Sequence, residues 1–171
     1  MGSSTGRAIA IVGAGFTGTL LALHLLRRST DRARIYLIEK NRRAGPGLAY
    51  STGNSNHLLN VRAGNMSAFV AEPQHFVEWL RRLPPETRRM IPDDQPHAAS
   101  FAPRGLFGVY IQQLLAEEIW RGPHGDRLII VNDEAVDLTR AASGLEVRLA
   151  AGRSIAVDTA TDARLLAEAE H

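Results

Sequence analysis

An apolar run, Ile9-Ala10-Ile11-Val12, stops at Gly13, and an apolar helical pattern begins directly after Gly15. Between them the chain reads Gly13-Ala14-Gly15-Phe16-Thr17-Gly18, a G-x-G-x-x-G turn in strand–turn–helix context. Each glycine has a physical task. Gly13 makes the tight turn out of the strand. Gly15 lets a pyrophosphate approach the backbone. Gly18 lets the helix pack closely on the strand. The helix then points free N–H groups and its positive dipole end at an anion.

A second strand, Arg34-Ile35-Tyr36-Leu37-Ile38-Glu39, ends in an acid that lies 21 positions past Gly18. An acid about 20 residues on accepts a hydrogen bond from a ribose 2′-OH. Glycines, strand, helix, second strand and terminal acid together define one βαβ unit and point to an adenine dinucleotide. A structural glycine turn in another α/β protein is the competing reading. Glu39 does not choose between FAD and NAD, which present the same adenosine ribose.

The 171 residues suffice for one domain with a real core, and 44% hydrophobic with 22% charged residues is ordinary for a globular chain. No apolar run is long enough to span a bilayer. Met1 to Gly6 lacks the apolar stretch of a signal peptide, so a cytoplasmic protein is expected. Cysteine is absent, which excludes disulfides, thiolate metal sites and the dithiol relay of a flavin disulfide reductase. The net charge is +2, and the arginines are scattered in pairs without interleaved aromatics, so no nucleic-acid surface is expected.

The first helix is expected from about Phe16 to Arg28. Asn41 to Ala68 shows neither helical nor strand period, yet carries aromatic and aliphatic residues among its amides and glycines. Loops this long are usually functional or disordered, and this composition suits a loop laid over an extended ligand. Pro73 to Leu83 reads as a short helix closed by Pro84-Pro85, and Glu86 to Ser100 as an exposed polar excursion. A longer helix from about Leu106 to Trp120 follows, with Phe107, Tyr110, Ile111, Leu114, Leu115 and Ile119 on its face. Trp79 and Trp120 are read as core or interface. Leu128 to Val131, Ala135 to Leu138, Leu145 to Leu149 and Ser154 to Val157 read as strands, the last three an antiparallel meander.

Several motifs carry a resemblance. They are the V-G-A-G-F-T-G start, Glu39, Gly47-Leu48-Ala49-Tyr50-Ser51-Thr52, His57-Leu58-Leu59-Asn60-Val61 with Met66-Ser67, and Pro103-Arg104-Gly105-Leu106-Phe107-Gly108 with Tyr110. Together they resemble the FAD/NAD(P)-binding protein family of bacterial flavoproteins, distant relatives of the flavin N-hydroxylating monooxygenases. The resemblance implies an α/β fold over residues 7–158: a Rossmann-like parallel sheet of the glutathione-reductase FAD-domain type with an antiparallel β-meander crossover. It implies FAD as cofactor and NAD(P)H as co-substrate. Gly13, Gly15 and Gly18, with Phe16 and Thr17 between them, would meet the FAD pyrophosphate. Glu39, with Lys40 beside it, would hold the adenosine ribose, and Val136 would offer its backbone to adenine. Gly47, Tyr50, His57, Asn60 and Arg104 would lie near the phosphates or the flavin.

The family pattern continues with an apolar strand ending in an Ala-Thr-Gly-like turn that closes over the cofactor. Here Asp158-Thr159-Ala160-Thr161-Asp162 stands in its place, and no second glycine fingerprint follows. Residues 159–171 are therefore expected to form a helical or disordered tail, leaving FAD weakly held. On this reading the chain is an FAD-binding oxidoreductase domain, incomplete for catalysis unless a partner chain, a second copy or further sequence completes the site. A non-catalytic dinucleotide-binding module and a plain NAD-binding dehydrogenase domain are the alternatives. No catalytic residue is assigned. His57, His75, His97 and His124 lack metal-ligand spacing and are read as surface or hydrogen-bonded loop residues. The substrate is unreadable.

Overall fold

The computed structural model describes residues 7–28, 32–41, 43–91, 97–122 and 125–164. In chain order the elements are β1 (Ala8–Val12), α1 (Phe16–Arg28), β2 (Arg34–Glu39), α2 (His75–Arg82), α3 (Pro85–Arg88), α4 (Arg104–Arg121), β3 (Leu128–Asn132), β4 (Ala135–Ala141), β5 (Gly144–Leu149), β6 (Ser154–Val157) and β7 (Thr159–Asp162). The chain packs as two compact units, Met1–Gly45 with Leu114–His171, and Pro46–Gln113. The division falls inside α4.

The first unit holds a parallel sheet in the order β3-β2-β1-β7 and an antiparallel sheet in the order β4-β5-β6. This is the expected α/β, Rossmann-like architecture with a meander. The β1–α1–β2 crossover makes β1 and β2 neighbours, with Ala8 opposite Arg34 and Val12 opposite Ile38. Alternation along the strands divides the core. Ala10, Ile38 and Val131 pack with Val147, Leu149 and Val157 of the meander. Ile11, Ile35 and Leu37 occupy the alternate positions and are equally buried. α1 contacts β1 and β2 and buries Ala22, Leu23 and Leu26. Each such leucine contributes roughly 1.5–3 kcal/mol by leaving water. Arg27 and Arg28 close the helix at its negative end.

The tail expected from residue 159 is corrected over its first four residues. Thr159–Asp162 form β7, parallel to β1, with Ile9 opposite Thr159 and Val12 opposite Asp162. A returning strand is therefore present. An apolar run was the wrong signal to demand. Parallel strands covered on both faces read as apolar runs, but β7 has a neighbour on one side only among the described residues. Two threonines suit such an edge strand. Helical backbone opens at Ala163 and Arg164, and 165–171 lie outside the described residues.

In the second unit the exposed polar excursion expected over Glu86 to Ser100 is corrected at Ile91 and Ser100, which are buried. Pro84 ends α2 as anticipated, but Pro85 stands at the first position of α3, where its fixed φ and missing N–H cost nothing. Residues 92–96 of that stretch lie outside the described residues, as does His124. An aromatic cluster forms the core here. Phe76 meets Phe107 edge-on with ring centroids 4.9 Å apart and lies 5.0 Å from Tyr110. Trp79 is buried against them, and its indole N–H donates to Gln113 at 2.8 Å. Trp120, in the first unit, is 84% exposed and belongs to no core. Among the described residues no helix is long and apolar enough to cross a membrane.

Candidate dinucleotide site

At the carboxyl end of β1 the chain turns at Gly13, whose φ of 93° only glycine adopts without strain. Its N–H donates to the Ile38 carbonyl at 2.8 Å, which ties the turn to β2. A Cβ on Gly18 would collide with the Gly13 carbonyl oxygen and lie 3.2 Å from the Ala163 side chain. The tight turn and the close helix packing expected of Gly13 and Gly18 are thus physical features of the backbone. Thr19 is buried, and its hydroxyl donates to the Ala14 carbonyl at 3.2 Å. That bond stiffens the turn from inside and has no signature in the sequence.

Glu39, at the end of β2, reaches the same turn. The Ala14 N–H donates to its Oε2 at 2.8 Å, while the Asn41 N–H and side-chain amide donate to its Oε1 at 2.9 and 3.0 Å. An ionised carboxylate offers about four lone-pair sites. Three are used here by described residues, and among these residues one acceptor site remains. Lys40 pairs with Glu134 at 3.3 Å on the surface, a contact of little energetic weight.

Val136 stands at a register shift in β4. Ala135 pairs with Leu149 and Asp137 with Arg148, so Val136 is the extra residue of a bulge, opposite no residue of β5. It lines a pocket of about 210 Å³ together with Val12, Leu138, Ala160, Asp162 and Arg164. Gly13, Gly15, Phe16, Thr17, Gly18, Glu39, Lys40 and Val136 all lie in the first unit.

Gly47, Tyr50, His57, Asn60 and Arg104 lie in the second unit. The irregular stretch around them is held by backbone bonds to Ala102 and to the first residue of α4. The Arg104 N–H donates to the His57 carbonyl at 2.7 Å and the Leu59 N–H to the Ala102 carbonyl at 2.9 Å. The Arg104 Nε–H adds a bond to the Leu58 carbonyl at 2.9 Å. Glycines on α4 provide room on the other side. A Cβ on Gly105 would lie 2.6 Å from the Thr52 carbonyl oxygen, and one on Gly108 would strike that of Tyr50.

His57 sits between Thr52, whose hydroxyl is 2.9 Å from Nδ1, and the Asn54 amide nitrogen, 3.5 Å from Nε2. Asn54 Oδ1 already accepts from the Asn56 N–H at 3.0 Å, which fixes the amide's orientation. The consistent tautomer then carries its proton on Nδ1 and donates to Thr52. Tyr50 stacks edge-on with Phe107 at 5.0 Å. Burial pushes its phenol above the usual tyrosine range, and the Arg104 charge partly offsets this. Gly47 turns the chain with φ of 58°, and Asn60 is exposed. His75, read above as a surface or hydrogen-bonded loop residue, is hydrogen-bonded but begins α2 rather than lying in a loop. Its Nδ1 lies 2.8 Å from the Tyr110 hydroxyl, which also accepts from the Ala68 N–H at 3.3 Å. Among the described residues no group of three or more His, Asp or Glu side chains could hold a metal ion.

Fold and turn together define a protein of the Rossmann-like, dinucleotide-binding class. The family model for FAD-NAD(P)-binding proteins matches residues 10–163, and the chain belongs to that family. No curated protein matches it. Among solved structures it is similar to FqzB, with 12% identity and a TM-score of 0.56 over 91% of this chain and 35% of that one. It is similar also to a flavin monooxygenase from Stenotrophomonas maltophilia, with 17% identity and a TM-score of 0.54 over 91% of this chain and 37% of that one. A mutant cyclohexanone monooxygenase from Rhodococcus sp. Phi1, bound to NADP+, gives 13% identity and a TM-score of 0.55 over 92% of this chain and 26% of that one. At such identities the likeness is one of fold, and the chain spans about a quarter to somewhat over a third of the length of these structures.

Proposed function

We propose that this chain is the FAD-binding domain of a flavin- and NAD(P)-dependent oxidoreductase. The observation that carries the reading is the glycine turn at Gly13–Gly18 with Glu39 bonded to the Ala14 N–H, beside the open bulge at Val136. These residues fit the adenosine diphosphate half of the cofactor. Gly13 to Gly18 would receive the diphosphate and Glu39 the ribose hydroxyl. The Val136 backbone, lacking a cross-strand residue, would meet adenine. The flavin, when bound, supplies the redox chemistry; the chain binds and orients it.

The family's designation names both FAD and NAD(P), and the fold shared with a flavin monooxygenase is what favours FAD over NAD at this turn. The partial span of those structures supports a division of labour. NAD(P)H would act as co-substrate, held by a partner chain, a second copy or further sequence. The strand β7 supplies the returning element whose absence would have predicted weak flavin binding, so one FAD per chain is expected. Reconstituting the purified protein with FAD, removing the excess, and recording flavin per chain and NADPH consumption tests this. The expected result is stoichiometric flavin with no steady NADPH oxidation by the chain alone. Binding of NAD in place of FAD would overturn the assignment in favour of a dehydrogenase-type domain.

A further inference from the structure

Where the family pattern leads one to expect a glycine at the end of β7, this chain has Asp162, and two residues on comes Arg164. The pair has defined geometry. The Arg164 Nε–H donates to Asp162 Oδ1 at 2.8 Å and Nη2–H to Oδ2 at 2.6 Å, a bidentate fork. Asp162 Oδ1 also accepts the Arg164 backbone N–H at 3.0 Å, so the aspartate holds both ends of the residue.

The stem of Arg164 lies over the glycine turn. A Cβ built on Gly13 would stand 3.1 Å from the Arg164 Cγ and 3.8 Å from its Cδ. The space that Gly13 leaves open is therefore filled by an arginine side chain. Arg164 also lines the pocket that contains Val12 and Val136. Of the five N–H donors of a guanidinium, Asp162 engages two, and planarity directs the rest away from that carboxylate. The Arg164 side chain is 53% exposed, so those donors are reachable.

Charge accounting points the same way. Besides Asp162, Glu39 and Glu134 stabilise the charged form of Arg164. Three carboxylates thus act on Arg164, and one of them, Glu39, bonds the turn proposed to receive a doubly charged diphosphate. Lys40 is engaged by Glu134. Helix dipole and backbone N–H groups supply partial charges only. A cation held over Gly13 offsets the repulsion that these acids would impose.

We propose that Arg164 is a diphosphate-binding residue: one edge of its guanidinium is held by Asp162 and the other meets the diphosphate of an adenine dinucleotide. This rests on the reading of the Gly13–Gly18 turn given above. Asp162 is on this account a positioning residue, and its own negative charge opposes the ligand.

Titration of the full chain with ADP, which carries the adenosine and diphosphate alone, tests the assignment. Arg164→Gln is expected to weaken ADP binding about tenfold or more, as for a lost charge-assisted hydrogen bond. Arg164→Lys recovers part of the loss as a point charge without the fork. Asp162→Asn loosens the fork but also removes the opposing charge and keeps an acceptor for the backbone N–H, so it loses clearly less ADP affinity than Arg164→Gln. If the ion pair merely braced the end of β7, both variants that break it would weaken binding alike. A loss under about threefold in Arg164→Gln, or a loss in Asp162→Asn within about threefold of it, overturns the proposal. Circular dichroism and thermal unfolding of each variant confirm that folded protein is compared. Wild type that binds neither ADP nor FAD would overturn the dinucleotide reading itself. Wild type that binds ADP, with Arg164→Gln unaffected, overturns only the role of Arg164.

Discussion

The two units hold their polar residues by different means. In the first, the glycine turn hangs between β1 and α1, and the ladders of a parallel sheet fix where Gly13, Glu39 and Asp162 end up. In the second, the stretch from Gly47 to Asn60 has no ladder of its own. It is positioned by single backbone bonds to Ala102 and to the first residue of α4 and by close approach to Gly105 and Gly108. A sheet-end site inherits its precision from many cooperative bonds. A strapped loop depends on a few contacts, each of which can be removed alone.

Substitutions at the glycines press hardest on this difference. Gly18→Val drives a branched side chain into the Gly13 carbonyl and should lower stability by about 3 kcal/mol or more, in the upper range for overpacking. Gly108→Val meets the Tyr50 carbonyl and should cost a similar amount. Gly53, in the same strapped region, has open space where its Cβ would be, and Gly53→Ala should stay within roughly 0.5 kcal/mol of wild type. Urea unfolding of the three variants orders them, and a large cost at Gly53 would break the comparison.

Gly15→Val should abolish dinucleotide binding while leaving far-UV circular dichroism near wild type. Its side chain would take the space of the pyrophosphate rather than that of the core. Unchanged affinity would show that the turn does not touch the ligand. Glu39→Ala comes next, with a loss of about 1.5–3 kcal/mol in dinucleotide affinity measured by calorimetry. The same change strips an acceptor from the Ala14 N–H, so a modest drop in melting temperature should accompany it.

The smallest effect concerns the strapped loop. Spectrophotometric titration should find Tyr50 ionising above the usual tyrosine value of about 10, and Arg104→Gln should push it higher by removing a favourable charge. Folded Tyr50 keeps its proton where the unfolded chain has lost it. Stability is therefore undiminished below the unfolded value and declines as pH rises through the folded one. Tyr50→Phe should flatten that decline in alkaline unfolding curves.

How legible each region was follows from the range of the contacts that define it. Gly13, Gly18 and Glu39 could be placed because strand, turn and helix periods are local signals within about forty residues. The meander was readable from alternation and glycine turns. β7 was not, because threonine and alanine on a sheet edge carry no apolar signal, and only its pairing with β1 makes it a strand. The bulge at Val136, the Thr19 hydroxyl bond and the Arg164 stem over Gly13 are tertiary facts that no local pattern announces. The Asp162 to Arg164 spacing could have been noticed as a carboxylate and guanidinium two residues apart. Nothing in it foretold the neighbouring turn.

The pairing of β1 with β7 also governs when the molecule can finish folding. The Ala8 N–H donates to the Asp158 carboxylate at 2.7 Å, and the Asp158 N–H returns a bond to the Ala8 carbonyl at 2.8 Å, across 150 positions of sequence. A ribosome adding roughly 5–20 residues per second needs on the order of ten seconds to cover that interval. Throughout it, β1 presents an unpaired edge of isoleucine, alanine and valine. Contacts of such long range slow the final closure, because the entropy of the intervening chain is lost before they form. Until then the nascent chain carries an exposed strand edge at which it can associate with other chains.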